Sequence, residues 1–143
     1  MYTNLYVLCG IPASGKTTLA RGLAEATNSK LYCFDDISGF NNPSKSKQLK
    51  QQMYNDVYND LLAGNSIVID DLHTQKEWRE NLLFIVKDIN CKKILIIMDT
   101  SLNECLSRNK KRKNRLPDFV IKLLHQRYES PSTEEGWDEI IWR

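Results

Sequence analysis

The residues best suited to do chemistry lie in one glycine-containing segment, Gly10-Ile11-Pro12-Ala13-Ser14-Gly15-Lys16-Thr17-Thr18. The segment matches the pattern G-x-x-x-x-G-K-[ST] at every fixed position. Glycine accepts backbone angles closed to other residues, so successive N–H groups can turn inward on an anion. A helix that begins here would add unpaired N–H groups and the positive end of its dipole. The pattern therefore predicts a phosphate cradle formed by Gly10, Pro12, Ala13, Ser14, Gly15, Lys16, Thr17 and Thr18.

The elements on either side of the cradle decide between a functional loop and a chance glycine turn. Leu5-Tyr6-Val7-Leu8-Cys9 is an apolar run typical of a buried strand, and residues 17–26 predict a helix. Strand, turn and helix together are the context that the motif requires, which disfavours a chance turn. We expect Lys16 to reach the β- and γ-phosphates of ATP and the Thr17 hydroxyl to bind Mg²⁺.

A pair of carboxylates, Asp70-Asp71, follows the apolar run Ile67-Val68-Ile69. An aspartate at the end of such a strand holds Mg²⁺, or its bound water, beside the hydroxyl of a phosphate-binding loop. The simpler interpretation is a solvated turn, because aspartate is common after strands. With the cradle upstream we favour the metal role, and the sequence leaves open which of the two carboxylates is nearer the ion.

A second pair, Asp35-Asp36, ends the predicted strand at 30–34. A carboxylate at this place can orient an acceptor hydroxyl and take its proton during phosphoryl transfer. It can equally cap the loop that follows, and position alone does not separate the two interpretations.

The third feature is the basic run Arg108-Asn109-Lys110-Lys111-Arg112-Lys113-Asn114-Arg115. It is compatible with a solvated helix end, where the helix dipole favours cations, and with a patch for nucleic-acid phosphates. It is also compatible with a lid whose arginine neutralises the transferring phosphoryl group. We favour a short helical lid at about 108–116, with Arg108 or Arg112 over the phosphates, that also touches a polyanionic substrate.

These residues need a framework that brings strand ends together, and the rest of the chain predicts one. Strands are expected at about 3–9, 30–34, 66–69, 93–98 and 138–142. Helices are expected at about 15–27, from Pro43 or Ser44 to just before Gly64, and at about 75–89, 102–110 and 117–128. Nearly continuous apolar strands suit a parallel sheet covered by helices on both faces, with ligands beyond its carboxyl edge. The expected class is therefore α/β, a doubly wound parallel sheet.

Composition limits the alternatives. The 143 residues fit one domain, 1–143, and 41% hydrophobic residues are enough for a core. A net charge of +2 does not by itself indicate nucleic acid. We expect no membrane span and no signal peptide, because no apolar run is long enough and the first residues lead directly into a strand. The four widely spaced cysteines form no zinc pattern and predict reduced, mostly buried thiols in a cytoplasmic protein.

The ordered set of motifs resembles the small P-loop kinases of the AAA_33 type, and most of all the kinase domain of phage 5′-polynucleotide kinases. The resemblance spans nearly the whole chain. It rests on the cradle, on Asp35-Asp36, on Ile67-Val68-Ile69-Asp70-Asp71 and on Arg108-Asn109-Lys110-Lys111-Arg112. The ending Pro131-Ser132-Thr133-Glu134-Glu135-Gly136-Trp137-Asp138 also resembles that of related kinases.

The resemblance implies a role for each matching residue. Lys16 and Thr17 fall on the phosphate-binding lysine and the adjacent hydroxyl residue, and Asp35 falls on the aspartate that activates the 5′-hydroxyl. Arg112 falls on the lid arginine, with Arg108 a second candidate. The fold implied is a P-loop kinase fold with a tunnel for the acceptor.

Two departures bear on the acceptor. The arginine that grips an acceptor phosphate in those kinases is replaced here by Ser38, and Leu72-His73 stands where they tend to have Thr-Asn. Three lysines on the following helix are candidate substitutes, although an exposed face is the commoner fate of lysine; they are Lys45, Lys47 and Lys50.

The sequence thus predicts an ATP-dependent kinase that uses Mg²⁺ and phosphorylates a hydroxyl-bearing acceptor, with a DNA or RNA 5′-OH favoured. The alternatives are a kinase for a small molecule, a nucleoside or a modified base, and a nucleotide-dependent switch that acts through a partner. The oligomeric state stays open.

Overall fold

A sheet of five parallel strands forms the centre of the computed structural model, which describes residues 3–34, 42–113 and 115–143. The strands are β1 (Asn4–Cys9), β2 (Lys30–Cys33), β3 (Ile67–Asp70), β4 (Lys92–Ile97) and β5 (Glu139–Trp142). Their order in the sheet is β2-β3-β1-β4-β5, and every neighbouring pair is parallel. The predicted α/β class is confirmed.

Helices connect the strands in the order that the sequence predicts. They are α1 (Lys16–Thr27), α2 (Pro43–Leu62), α3 (Lys76–Ile85), α4 (Leu102–Lys110) and α5 (Asp118–Gln126), followed by a 3-10 turn at Thr133–Glu135. Helix α2 starts with Pro43 at its first position, where the missing N–H costs nothing, and Asn42 caps it by accepting from the Lys45 N–H. Helix α3 is shorter than the predicted 75–89 because the chain continues after Ile85 in hydrogen-bonded turns.

The three central strands, β1, β3 and β4, bury both of their faces, as continuous apolar runs require, whereas the edge strands β2 and β5 stay partly exposed. Alternate residues of β1 point to opposite sides of the sheet, with Leu5 and Val7 in one core and Leu8 in the other. Helices α2 and α3 cover the first side with residues such as Val57 and Leu82, and α1 covers the second side. Helices on both faces complete the doubly wound arrangement.

The carboxyl edge of the sheet is where the functional loops meet. Strand β1 lies in the centre, between β3 and β4, and the segment 10–15 follows it directly. A small third core of Ile11, Cys105, Leu116 and Ile121 seats α4 and α5 against that segment. None of the helices in the described ranges is both long enough and apolar enough to cross a lipid bilayer.

The basic run is less helical than predicted. Helix α4 ends at Lys110, and the described residues from Lys111 to Pro117 are turns and irregular chain. The buried Asn109 holds this connection, because its side-chain amide donates to the Leu116 carbonyl (2.7 Å) and accepts from the Leu116 N–H (3.1 Å). A side-chain amide that bonds the backbone of a following loop competes with continued helix, so this contact helps to end α4 here.

Candidate active site

The glycine segment forms a tight cradle at the end of β1. Ala13 and Gly15 both have left-handed backbone angles, with φ of 66° and 99°. Gly10 is required by close packing, because an added Cβ would lie 2.6 Å from the Ser14 Oγ and 3.0 Å from the Met98 Cβ. The Ser14 hydroxyl is buried and has no hydrogen-bond partner among the described residues. The cradle therefore holds an inward-turned backbone and one unsatisfied donor.

Lys16 begins α1 and is almost entirely buried, with 5% of its surface exposed. Its ammonium Nζ donates to the Ile11 carbonyl at 3.0 Å. The contact bends the lysine back over the cradle while the first N–H groups of α1 stay unpaired within the helix. A cation and a helix N-terminus thus point at the same space, which suits a phosphate.

Thr17 and Asp70 bring the cradle and β3 together. The Thr17 Oγ1 donates to the Asp70 Oδ2 at 2.8 Å, and Asp70 is 5% exposed. The Cys33 thiol, at the end of β2, lies 3.6 Å from the same carboxylate oxygen. Burial and the nearby Asp70 carboxylate raise the pKa of Cys33 to about 11, so the thiol is a neutral donor at neutral pH.

Asp71 faces a different set of partners. Its Oδ2 lies 2.9 Å from the Lys50 ammonium and its Oδ1 accepts from the Leu72 N–H at 2.8 Å. Burial opposes the charged carboxylate, but contacts with His73, Lys50 and Leu72 keep the pKa of Asp71 below its usual value. Asp70 is therefore the member of the pair that contacts Thr17, whereas Asp71 ties α2 to the end of β3.

His73 is a buried polar residue of the turn after β3. Its Nδ1 lies 3.3 Å from the Leu8 carbonyl and its Nε2 lies 3.2 Å from the Tyr54 hydroxyl. Burial lowers the pKa of His73, although the neighbouring Asp71 works against this shift. The imidazole therefore links the turn after β3 to β1 and α2.

A cavity of about 980 Å³ opens over the cradle. Cradle residues from Ala13 to Thr18 line it, together with Asp70 and two arginines of the basic run, Arg108 and Arg112. Arg108 is also paired with Glu104 (3.0 Å), while the buried NH1 of Arg112 has no partner among the described residues. The cavity is thus lined by several positively charged side chains and one carboxylate. The cations suit the oxygens of a polyphosphate, and the carboxylate suits a metal ion bound to it.

The predicted site residues divide into three groups. Cradle residues from Ala13 to Thr18, Asp70 and the two arginines meet around one cavity, whereas Asp71 pairs with Lys50 and does not line that cavity. Gly10 and Pro12 belong to the cradle turn and are not among the cavity-lining residues. Asp35, Asp36 and Ser38 lie outside the described residues.

Sequence reasoning did not single out several of the cavity residues, among them three polar ones, Arg21, Thr100 and Arg143. The Thr100 Oγ1 donates to the Ser14 carbonyl at 2.8 Å and so braces the cradle from the end of β4. Its position three residues after β4, on the carboxyl edge of the sheet, would have indicated it. Arg21 is on the second turn of α1 and Arg143 follows β5, and only the folded chain brings them to the cavity.

Known proteins resemble this chain in sequence and in structure. The L-seryl-tRNA(Sec) kinase of Methanococcus maripaludis is 26% identical over 143 residues, covering 94% of this chain and 56% of that protein. Kti12 of Chaetomium thermophilum, solved with ADP-AlF3, has a TM-score of 0.73 at 21% identity and covers 97% and 88% of the two chains. A fungal RNA kinase has a TM-score of 0.71 at 20% identity and covers 99% and 38%.

The similarity to these proteins tests the family resemblance that the sequence motifs predict. At such identities the two solved structures establish a common fold, so the P-loop kinase fold that the resemblance implies is confirmed. The closer likeness to phage polynucleotide kinases is supported only in part, through the fold of the RNA kinase. The chain spans about half of the length of the curated relatives that it matches.

The family model that matches is described as chromatin associated protein KTI12, and it covers residues 4–141. The match therefore includes the cradle, Asp70, the basic run and all but the last residue of β5. The chain belongs to the KTI12 family.

Proposed function

We propose that this chain is an ATP-dependent kinase that transfers the γ-phosphate of ATP to a hydroxyl group. The observation that carries the proposal is the 2.8 Å contact between the Thr17 hydroxyl and Asp70, inside a cavity also lined by Lys16, Arg108 and Arg112. Hydroxyl and carboxylate oxygens are the ligands that Mg²⁺ prefers, and the surrounding cations suit the phosphates.

The cradle fits a nucleotide phosphate on two counts. The unsatisfied Ser14 hydroxyl needs an acceptor, and the space beside Gly10 admits no side chain. Thr17 and Asp70 would hold Mg²⁺, which supplies charge neutralisation between the phosphates. Lys16 would leave the Ile11 carbonyl for a phosphate oxygen, an exchange of a neutral acceptor for a charged one. ADP bound with AlF3 in Chaetomium Kti12 supports nucleotide binding here.

The transfer proposed is a single displacement at phosphorus. The acceptor oxygen forms a bond to the γ-phosphorus, the bond from that phosphorus to the bridging oxygen breaks, and ADP leaves. Asp35 would take the hydroxyl proton, and Arg108 or Arg112 would neutralise the charge that gathers on the transferring oxygens.

The favoured acceptor is the 5′-OH of a polynucleotide. Support for an RNA-borne hydroxyl comes from two similar proteins: a relative is named as a kinase of L-seryl-tRNA(Sec), and a structural neighbour is named as an RNA kinase. A cytoplasmic location belongs to the same proposal.

A nucleotide-dependent switch is the second candidate. The observation that favours it is the family match, because the KTI12 family is described by association with chromatin and not by phosphoryl transfer. In that case ATP would be hydrolysed slowly and the site would act through a partner.

Labelled ATP separates these functions. The chain is offered ATP labelled at the γ-phosphate with 5′-OH DNA, 5′-OH RNA, nucleosides and sugars in parallel. A kinase places the label on an acceptor, and the identity of the labelled acceptor names the substrate class. Label on no acceptor, with inorganic phosphate released only when a protein partner is added, would reject the kinase in favour of the switch.

A further inference from the structure

A second cavity, of about 370 Å³, lies between the edge strand β2 and helix α2. Its lining residues come from β2, from the residue that follows it and from α2, and they are Tyr32, Cys33, Phe34, Leu49, Gln52, Met53 and Asp56. Two of them, Cys33 and Phe34, also line the cavity over the cradle. The two cavities are therefore neighbours with a common wall.

The spacing of the lining residues explains how the pocket forms. Tyr32 in β2 and Phe34 just after it are two residues apart, and both rings pack on the side of the sheet that α2 covers. Four lining residues belong to α2. Gln52, Met53 and Asp56 lie three, four and seven positions after Leu49, and this spacing places all four on one face of the helix. Leu49 belongs to that face and is still 49% exposed, so the described chain leaves this end of the interface unfilled.

The walls combine aromatic and apolar surface with one polar edge. The Tyr32 ring is held in place through a hydrogen bond from its hydroxyl to Asp60. The Phe34 ring has the Lys50 ammonium 4.5 Å from its centroid, and Lys50 is itself fixed by Asp71. Two rings held by outside partners make a preorganised surface for a flat ligand.

The polar edge comes from Gln52 and Asp56. The Gln52 Nε2 donates to the Asp56 Oδ1 at 3.1 Å, which leaves the amide oxygen and the second carboxylate oxygen as acceptors. A flat aromatic ligand with N–H donors on its edge matches these groups. Nucleobases have this chemistry, because they stack on aromatic side chains and carry ring or exocyclic N–H groups.

We propose that this pocket binds the base of the acceptor nucleotide. The proposal rests on the kinase function proposed above and narrows its substrate to a hydroxyl carried by a nucleoside unit. The wall that the two cavities share places the pocket next to the cradle, because the Cys33 thiol in that wall lies 3.6 Å from the Asp70 carboxylate. A base between β2 and α2 thus directs its sugar toward the predicted metal ligand.

Binding and transfer are tested together on the same chain. One probe is a short RNA with a 5′-OH, and the second is the same RNA with an abasic first residue. Leu49→Trp fills the pocket from its exposed end, and Leu62→Trp is the matched control, since Leu62 is 59% exposed on the same helix and lines neither cavity. Calorimetry gives the affinity without ATP, and labelled ATP gives kcat/KM.

The expected result is a preference of about 10-fold or more for the RNA with a first base, in affinity and in kcat/KM. Leu49→Trp should remove that preference without changing the KM for ATP, and Leu62→Trp should keep it. Equal binding of the two RNAs, or an unchanged preference in Leu49→Trp, would overturn the pocket assignment. Base-dependent binding without any transfer would retain the pocket and reject the kinase instead.

Discussion

At the scale of single residues, the site is built from polar side chains whose present partners are replaceable. Lys16 is bonded to the Ile11 carbonyl, and Thr17 is bonded to Asp70. Ser14 and Arg112 each have a buried polar atom without a partner among the described residues. A buried polar atom without a hydrogen-bond partner lowers the stability of the chain, and a bound polyphosphate would supply the missing acceptor.

Replacing Lys16 with alanine should abolish phosphoryl transfer and weaken ATP binding by about 10-fold or more. The physical reason is the loss of a charge-assisted hydrogen bond to the phosphates. Calorimetric titration with ATP measures the effect. Lys122→Ala is the control, because Lys122 is exposed on α5 and lines neither cavity. Equal ATP affinity in the two variants would remove Lys16 from the nucleotide site.

Asp35→Asn should leave ATP affinity near that of the unmodified chain and reduce transfer by about 10²-fold or more. An amide keeps the shape of the side chain but cannot take the proton of the acceptor hydroxyl. Asp36→Asn is the matched control at the neighbouring position. Full transfer by Asp35→Asn, measured with labelled ATP, would show that Asp35 only caps its loop.

At the scale of elements, the connection between α4 and α5 decides where the arginines lie. Asn109 is fully buried and bonds both backbone groups of Leu116, which is itself in the third core. This pair of hydrogen bonds closes the basic segment into a loop with both ends fixed. Arg112 therefore sits on a short anchored loop beside the cradle.

Asn109→Ala should destabilise the chain by about 2 kcal/mol, because the N–H and C=O of Leu116 both lose their partner in a buried place. Transfer should fall more than ATP binding, since the loop that carries Arg112 loses its anchor. Asn109→Asp is the graded control: it can still accept from the Leu116 N–H but cannot donate to its carbonyl. Urea unfolding measures the stability, and equal stability of all three chains would contradict the anchor.

At the scale of the whole molecule, a buried ion pair joins distant parts of the chain. Arg79 of α3 is fully buried and contacts both carboxylate oxygens of Glu135 at 3.0 Å, while the Trp137 indole donates to the same carboxylate. Arg79 also donates to the His73 carbonyl at 2.9 Å, in the turn after β3. The segment before β5 is thereby tied to the carboxyl edge that carries Asp70.

Glu135→Gln should destabilise the chain by about 3–5 kcal/mol near neutral pH, because it leaves the buried Arg79 charge without a carboxylate. Burial alone would raise the pKa of Glu135, but hydrogen bonds from Arg79 and Trp137 keep that pKa below its usual value of 4.5. The stabilisation is therefore complete above about pH 4.5 and disappears as pH falls through the lowered pKa.

Urea unfolding at neutral pH and below about pH 4 checks both parts of this prediction. The difference in free energy of unfolding between the unmodified chain and Glu135→Gln should be smaller in acid than at neutral pH. Glu139→Gln, which breaks an exposed pair with Lys92, should leave the free energy of unfolding within error of the unmodified chain. If this difference in free energy of unfolding were the same at both pH values, the proposed role of the Glu135 charge would be contradicted.

The amino-acid sequence by itself determined the fold class and the centre of the site. Apolar strands alternating with helices predicted a parallel sheet, and the spacing from Gly10 to Thr17 predicted the cradle, because both patterns are local along the chain. Asp70 was predictable as one of two carboxylates for the same reason. The role of Asp35, which lies outside the described residues, stays a prediction.

Only the tertiary structure decided which polar groups meet. It placed Asp70, and not Asp71, against Thr17, because neighbouring residues of a strand point to opposite faces and Lys50 of α2 holds the second carboxylate. It joined Asn109, at the predicted end of α4, to Leu116, and this contact anchors the basic segment that the sequence predicts as a helical lid. It also opened the pocket between β2 and α2, which depends on the distance between two elements and not on either sequence pattern.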